Sequence, residues 1–242
     1  MTEVSFSLPL AGFRLAGVLH LPEATGPRPL AVISHGLFSS MASPKLTLLA
    51  RELAAMGLAA ARFDSRGLGL STGLVAETTL SGRIEEIRAV RDFLLQNFKV
   101  REPVALIGSS FGGTASLLLA KQQPAAGFLV VAWSAPSNFK TLKKDWSELE
   151  EKKLDQSFLE DLEKYSMPDE LAGLGRVLLV HGQADEVVPA SQAAALFEIL
   201  GQPKRLKIIP GADHRLTSPL ALGTALAETK KWLAEHHFCC HS

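Results

Sequence analysis

The stretch that most constrains the fold is Val104-Ala105-Leu106-Ile107-Gly108-Ser109-Ser110-Phe111-Gly112-Gly113-Thr114-Ala115. The apolar run from Val104 to Ile107, set off by Pro103, has the composition of a strand covered on both faces. Thr114 to Lys121, rich in Ala and Leu, has the composition of a helix. Gly108-x-Ser110-x-Gly112 must therefore turn the chain from strand to helix within a few residues. So sharp a turn strains the backbone of its central residue. Residues two positions to either side come so close that a Cβ would clash, and glycine removes the clash. Ser110 is then expected at the tip with its hydroxyl outward. The free N–H groups and partial positive charge of the following helix point at the same spot. The pentapeptide alone is also compatible with a plain Gly-rich turn. Its strand-to-helix context favours a nucleophile. Ser109 is one residue out of register.

Bulk properties exclude several classes. With 242 residues, 47% of them hydrophobic and 21% charged, the chain can bury a full core without disulfide or metal staples. Its 25 basic and 25 acidic residues cancel, so neither a nucleic-acid footprint nor a polybasic membrane patch is expected. No apolar run reaches the length of a membrane span. Met1-Thr2-Glu3-Val4 lacks a basic region followed by an apolar one, so no signal peptide is expected. The two cysteines, Cys239 and Cys240, are adjacent, which excludes a disulfide framework and suits a reducing cytoplasm. With His236, His237 and His241 they are candidate metal ligands. Adjacent cysteines do not match structural-zinc spacing, so no metal is expected.

Along the chain, residues 3 to 21 alternate as two antiparallel strands. Leu30 to Ser34 forms a third strand and ends in His35-Gly36. A helix is expected from Pro44 to Met56, with Leu46, Leu49, Leu53 and Met56 on one stripe and Gly57 as its stop. Leu58 to Phe63 is a fourth strand, followed by the turn cluster Asp64-Ser65-Arg66-Gly67-Leu68-Gly69-Leu70-Ser71. A helix over 80–97 carries Ile84, Ile87, Val90 (or Arg91) and Leu94. The Ser110 unit follows, then a strand from Gly127 to Trp133. Between Pro136 and Ala172 the chain becomes dense in Lys and Glu. Leu142, Trp146 and Leu149 share one helical face, and Leu154, Phe158, Leu162 and Tyr165 share another. This is read as a small helical lid over 136–172, set into a core of 1–135 and 173–242; the alternative is one crossover helix with a long loop. Alternation resumes with a strand from Arg176 to Val180, a helix from Pro189 to Leu200, a strand from Lys204 to Ile209 and a helix from Pro219 to His236. The fold class is α/β, a mostly parallel sheet with helices on both faces.

A serine hydroxyl needs a base within reach, and the base needs an acid to orient it. Ligands of parallel sheets collect beyond the carboxyl ends of the strands, so candidates are residues just after strands. For the base these are His35, His181 and His214. His214 sits on a loop able to reach over the sheet, whereas rings in the two His-Gly pairs more often bond to backbone. His20 lies inside a strand. Asp185 is the acid, with Glu186 in reserve, and Asp213 is a turn-former. The chain order Ser110, Asp185, His214 fits this arrangement. Two N–H donors are needed for an oxyanion. Phe111 supplies one and Leu37 is chosen for the other, with Gly36 letting that backbone approach. The Asp64–Ser71 cluster is read as structural, an ion pair and a glycine-shaped turn beside the site. Phe38, Trp146, Phe158 and Tyr165 are candidate substrate contacts.

Taken together, His35-Gly36, Phe63-Asp64-x-Arg66-Gly67-x-Gly69-x-Ser71, Gly108-x-Ser110-x-Gly112, His181-Gly182-x-x-Asp185 and Gly211-x-Asp213-His214 give the chain a resemblance to the α/β-hydrolase superfamily. It looks most like small esterases of the cinnamoyl/feruloyl-esterase and acylaminoacyl-peptidase-like branch. The resemblance implies an eight-stranded sheet with an antiparallel second strand, a lid after the sixth strand, a Ser-His-Asp triad and no cofactor. The expected function is hydrolysis of carboxylic esters, with a small-molecule ester as partner and a homodimer as an open alternative to a monomer. Two further readings are a peptidase or amidase, and a non-catalytic ligand-binding protein on the same fold. Residues 136–172 match no lid pattern of that family.

Overall fold

The computed structural model describes residues 1–23, 25–139, 154–236 and 238. Its eight strands are β1 (Thr2–Leu10), β2 (Phe13–Leu21), β3 (Arg28–Ser34), β4 (Ala59–Asp64), β5 (Val100–Ser109), β6 (Leu129–Trp133), β7 (Val177–Gly182) and β8 (Lys204–Ile209). They form one sheet in the order β1-β2-β4-β3-β5-β6-β7-β8. The two antiparallel pairings are both made by β2, with β1 and with β4. All others are parallel.

The helices among the described residues are α1 (Pro44–Ala55), α2 (Leu80–Asn97), α3 (Phe111–Gln122), α4 (Gln156–Leu162), α5 (Ala190–Ile199) and α6 (Pro219–Glu235). Successive strand residues point to opposite faces, and this splits the core in two. Leu30, Val32, Val104 and Leu106 join the stripe Ile84, Ile87, Val90 and Leu94 of α2, together with α3. Ala31, Ile33, Ala105 and Ile107 join Leu46, Leu49 and Leu53 of α1 and Leu226, Trp232 and Leu233 of α6. Each Val, Leu or Ile among them, fully buried, contributes about 1.5–3 kcal/mol. On α2 the third stripe position is Val90; Arg91 instead bonds Gln123.

β5 is longer than its apolar run. Val100 and Arg101 pair with Arg28 and Pro29, and the register shifts before Leu30 meets Val104. Glu102 and Pro103 fall at that irregularity, so the polar residues and the proline masked a strand that passes through them. The expected stripe Leu154, Phe158, Leu162 and Tyr165 packs on the α2/α3 side of the sheet, with Phe158 fully buried. Asp161 anchors it: its carboxylate accepts from Ser81 N–H (2.8 Å) and Oγ (2.6 Å) at the start of α2. Leu142, Trp146 and Leu149 lie outside the described residues, as do His237, Cys239, Cys240 and His241.

Candidate active site

Ser110 lies between β5 and α3 with φ 54° and ψ −124°, a strained combination for a residue with a Cβ. The turn is held by Ser110 N–H donating to Trp133 O (2.7 Å) and by Gly113 N–H donating to Ser110 O (2.8 Å). Its glycines are sterically required. A Cβ on Gly108 would lie 2.2 Å from Gly112 O, and one on Gly112 would lie 2.5 Å from Ser34 O. α3 is buried from Phe111 to Ala120, so the turn sits on a helix that packs all round.

His214 comes to the serine from the loop after β8. Its Nε2 is 3.1 Å from Ser110 Oγ, across 104 positions of chain. Its Nδ1 is 2.8 Å from Asp185 Oδ2. Gly182, at the end of β7, makes room for the His214 loop: a Cβ there would lie 2.4 Å from Ala212 O. Asp185 receives four donors. Val187 and Val188 amides reach Oδ1 at 2.9 and 2.7 Å, and His214 and His181 reach Oδ2 at 2.8 and 3.1 Å. Burial by itself would raise this carboxyl's pKa; the hydrogen bonds from His181, His214 and the Val188 amide outweigh it and hold the pKa well below the usual carboxylate range. An ionised carboxylate only accepts, so Nδ1 of His214 carries the proton and Nε2 presents a lone pair to the Ser110 hydroxyl.

The alternatives are placed elsewhere. Glu186 accepts from the His214 backbone N–H (3.1 Å) rather than from the ring. Asp213 accepts from Thr217 N–H (2.8 Å) and Oγ (2.7 Å), as a turn-former does. His20 accepts from Arg62 Nε (2.9 Å) inside the sheet. His35 bonds backbone only: Nδ1–H donates to Gly36 O (2.7 Å) and Nε2 accepts from Ser65 N–H (3.0 Å). Burial, assisted by the Arg83 charge, lowers its pKa to about 3. His181 departs from the expectation of backbone bonding alone. Its Nε2 faces both Val188 O (2.9 Å) and the Asp185 carboxylate, two acceptors, so that nitrogen is protonated.

The loop after β3 lies beside the serine. Gly36, Leu37 and Phe38 line the same cavity as Ser110, Phe111 and His214. A Cβ on Gly36 would stand 3.5 Å from Ser110 Cβ, an ordinary contact. Steric clearance is thus not what a glycine supplies there, contrary to expectation. Buried Arg83 holds this loop by donating from Nη1 to His35 O (2.7 Å). It pairs with Glu86 at 3.3 Å and lies 5.4 Å from the centre of the Phe111 ring. The Asp64 cluster is structural. Its carboxylate accepts from Met41 N–H (2.7 Å) and Leu70 N–H (2.9 Å), and a Cβ on Gly69 would strike it. Arg66 is not its partner; it pairs with Glu77 (3.5 Å) and covers the Phe13 ring.

The cavity holds about 890 Å³, room for a small or medium ligand. Its apolar wall includes Leu37, Phe38, Phe139, Phe158, Val187 and Val188. Tyr165 is not part of it. The expected helical face ends early: α4 stops at Leu162, and Tyr165, beyond it, places its hydroxyl 2.8 Å from Ser81 Oγ at the start of α2. Trp146 lies outside the described residues. Phe139 and Lys45 were not anticipated. Phe139 follows β6, where the rule that selected His214 also applies, whereas Lys45 lies in the first turn of α1; neither belongs to a motif.

A sequence model of the Prolyl oligopeptidase family matches residues 76–238. An uncharacterized protein of Mycobacterium tuberculosis is 26% identical over 229 residues, covering 93% of this chain and 76% of the relative. The uncharacterized protein YfhR of Escherichia coli is 26% identical, covering 84% of this chain and 70% of the relative. Among solved structures, Est1E of Butyrivibrio proteoclasticus with bound ferulic acid superposes with TM-score 0.81 at 22% identity, covering 95% of this chain and 99% of that one. An esterase domain from a Rhodothermus marinus protein reaches TM-score 0.75 at 27% identity, covering 97% and 99%. The fold is that of the α/β hydrolases, and family and fold together support a hydrolytic enzyme.

Proposed function

The chain belongs to the prolyl oligopeptidase family, and from that premise we propose that it hydrolyses carboxylic esters through an acyl-enzyme on Ser110. One observation carries the reading: His214 stands 3.1 Å from the Ser110 hydroxyl with its other nitrogen 2.8 Å from the ionised Asp185. In the proposed cycle Nε2 of His214 takes the hydroxyl proton as Ser110 Oγ attacks the acyl carbon. Leu37 and Phe111 N–H groups stabilise the oxyanion. His214 returns the proton to the leaving oxygen, and water then releases the acid by the same route. Phe139 and Phe158 flank residues 140–153 and both line the cavity, which supports reading 136–172 as a lid that shapes substrate choice.

Ser110→Ala is expected to lower kcat on p-nitrophenyl acetate by on the order of 10⁶, and Asp185→Asn by about 10⁴. Unchanged turnover in Ser110→Ala sinks the reading. Peptidase or amidase chemistry is the second reading, favoured by the family model. Faster turnover of aminoacyl-nitroanilides than of matched esters would establish it. Labelling of Ser110 by a fluorophosphonate is expected under both and absent if the fold only binds a ligand.

A further inference from the structure

The cavity has an uneven charge. Among the described residues that line it, three carry charged side chains: Lys45, Arg215 and Glu186. The carboxylate of Glu186 is occupied by the His214 amide. Lys45 Nζ donates only to a main-chain carbonyl, Arg215 O (3.3 Å), and among the described residues no carboxylate pairs with either cation. The acids whose charges act on Lys45 are engaged elsewhere, Asp213 with Thr217 and Asp185 with two histidines and two amides. Ser43, Pro44, Lys45 and Leu46, the first turn of α1 and its cap, line the same wall. The Ser43 side chain makes no capping bond, so the partial positive charge of that helix end adds to the two cations.

We propose that Lys45 and Arg215 form an anion-binding subsite beside His214, selecting esters whose alcohol half carries a carboxylate. The alcohol half is part of the proposal: both cations line the cavity that His214 lines, and in the proposed cycle His214 hands its proton to the leaving oxygen. Burial, then the neighbouring Arg215 charge, lowers the Lys45 pKa to about 8, against the pull of Asp213 and Asp185. Lys45 is therefore a half-buried cation at neutral pH that has no counterion in contact among the described residues. A bound carboxylate supplies one, and a charge-assisted hydrogen bond of this kind is worth about tenfold in affinity.

This subsite deepens the ester-hydrolase reading above and rests on it for the choice of ester. The test compares 4-acetoxybenzoate with the neutral isostere 4-acetoxybenzamide. The ratio of their kcat/KM values is expected to favour the anion. It should fall about tenfold in Lys45→Met and in Arg215→Gln, recover in Lys45→Arg, and shrink as salt rises toward 1 M. Arg215 is exposed, so its variant keeps the fold even if Lys45→Met does not. Calorimetry on the resting protein, with 4-hydroxybenzoate against 4-hydroxybenzamide, reads the subsite without turnover. Tighter binding of the anion that is lost in Arg215→Gln supports the proposal. Equal affinities, or a ratio that neither variant moves, overturn it. Intact anion preference in a protein that turns over neither ester counts against the hydrolase reading alone.

Discussion

Two His-Gly pairs end two strands of this sheet, β3 and β7, and the same dipeptide does opposite things in them. At β3 the histidine is a backbone fastener and the glycine could carry a Cβ in ordinary contact. At β7 the histidine reaches the carboxylate that also bonds His214, and the glycine is the point where two loops touch. Local sequence is equivalent; what differs is the partner each strand end meets. β3 ends against the buried Arg83, which takes His35 O. β7 ends against the loop from β8, whose Ala212 and Asp213 carbonyls press on Gly182.

The contrast can be broken at either end. The largest effect is expected from Arg83→Met, which leaves Glu86 buried without its counterion. Urea denaturation should show a loss of about 3–5 kcal/mol. Next comes Gly182→Ala, whose Cβ meets backbone that cannot yield. A destabilisation of about 1–3 kcal/mol should be accompanied by loss of turnover, as the His214 loop is displaced. Gly36→Ala should cost less than about 1 kcal/mol; an equal cost for the two glycines would erase the distinction.

Acid stability sharpens the comparison on the β3 side. His35, with its pKa lowered to about 3, stays neutral in the folded chain over a range where the unfolded chain protonates it below about 6.5. Between those values the unfolded state holds the extra proton, so folding stability falls as pH falls, by about 1.4 kcal/mol per pH unit. Asp185, lowered in the fold, adds loss in the same direction below the ordinary carboxylate range. Denaturant midpoints measured between pH 4 and 6 should show this slope, and His35→Gln should flatten it. On the β7 side, His181→Asn should reduce kcat about tenfold by removing one of four donors from Asp185, with less effect on KM. A matching rise in KM would mean that the cavity wall had moved instead.

Much of this was legible before folding. The alternation of strands and helices, the glycines two positions either side of Ser110, and the choice of His214 and Asp185 all follow from rules that act over a few residues or from position after a strand. Local rules failed where the partner is distant. The polar start of β5 is a strand because β3 lies alongside it. Tyr165 leaves the cavity because Ser81 meets it from α2. Phe139, Lys45 and the second contact of His181 carry no motif at all.

The chain's own order therefore settled the sheet, its helices and which residues stand at the carboxyl edge, since periodicity and glycine sterics are properties of neighbours in sequence. Only the tertiary structure decided how closely His214 approaches the hydroxyl, which four donors reach Asp185, and which cations line the cavity without a carboxylate partner among the described residues. Those are contacts across as many as 170 residues, set by how separate loops pack against one another.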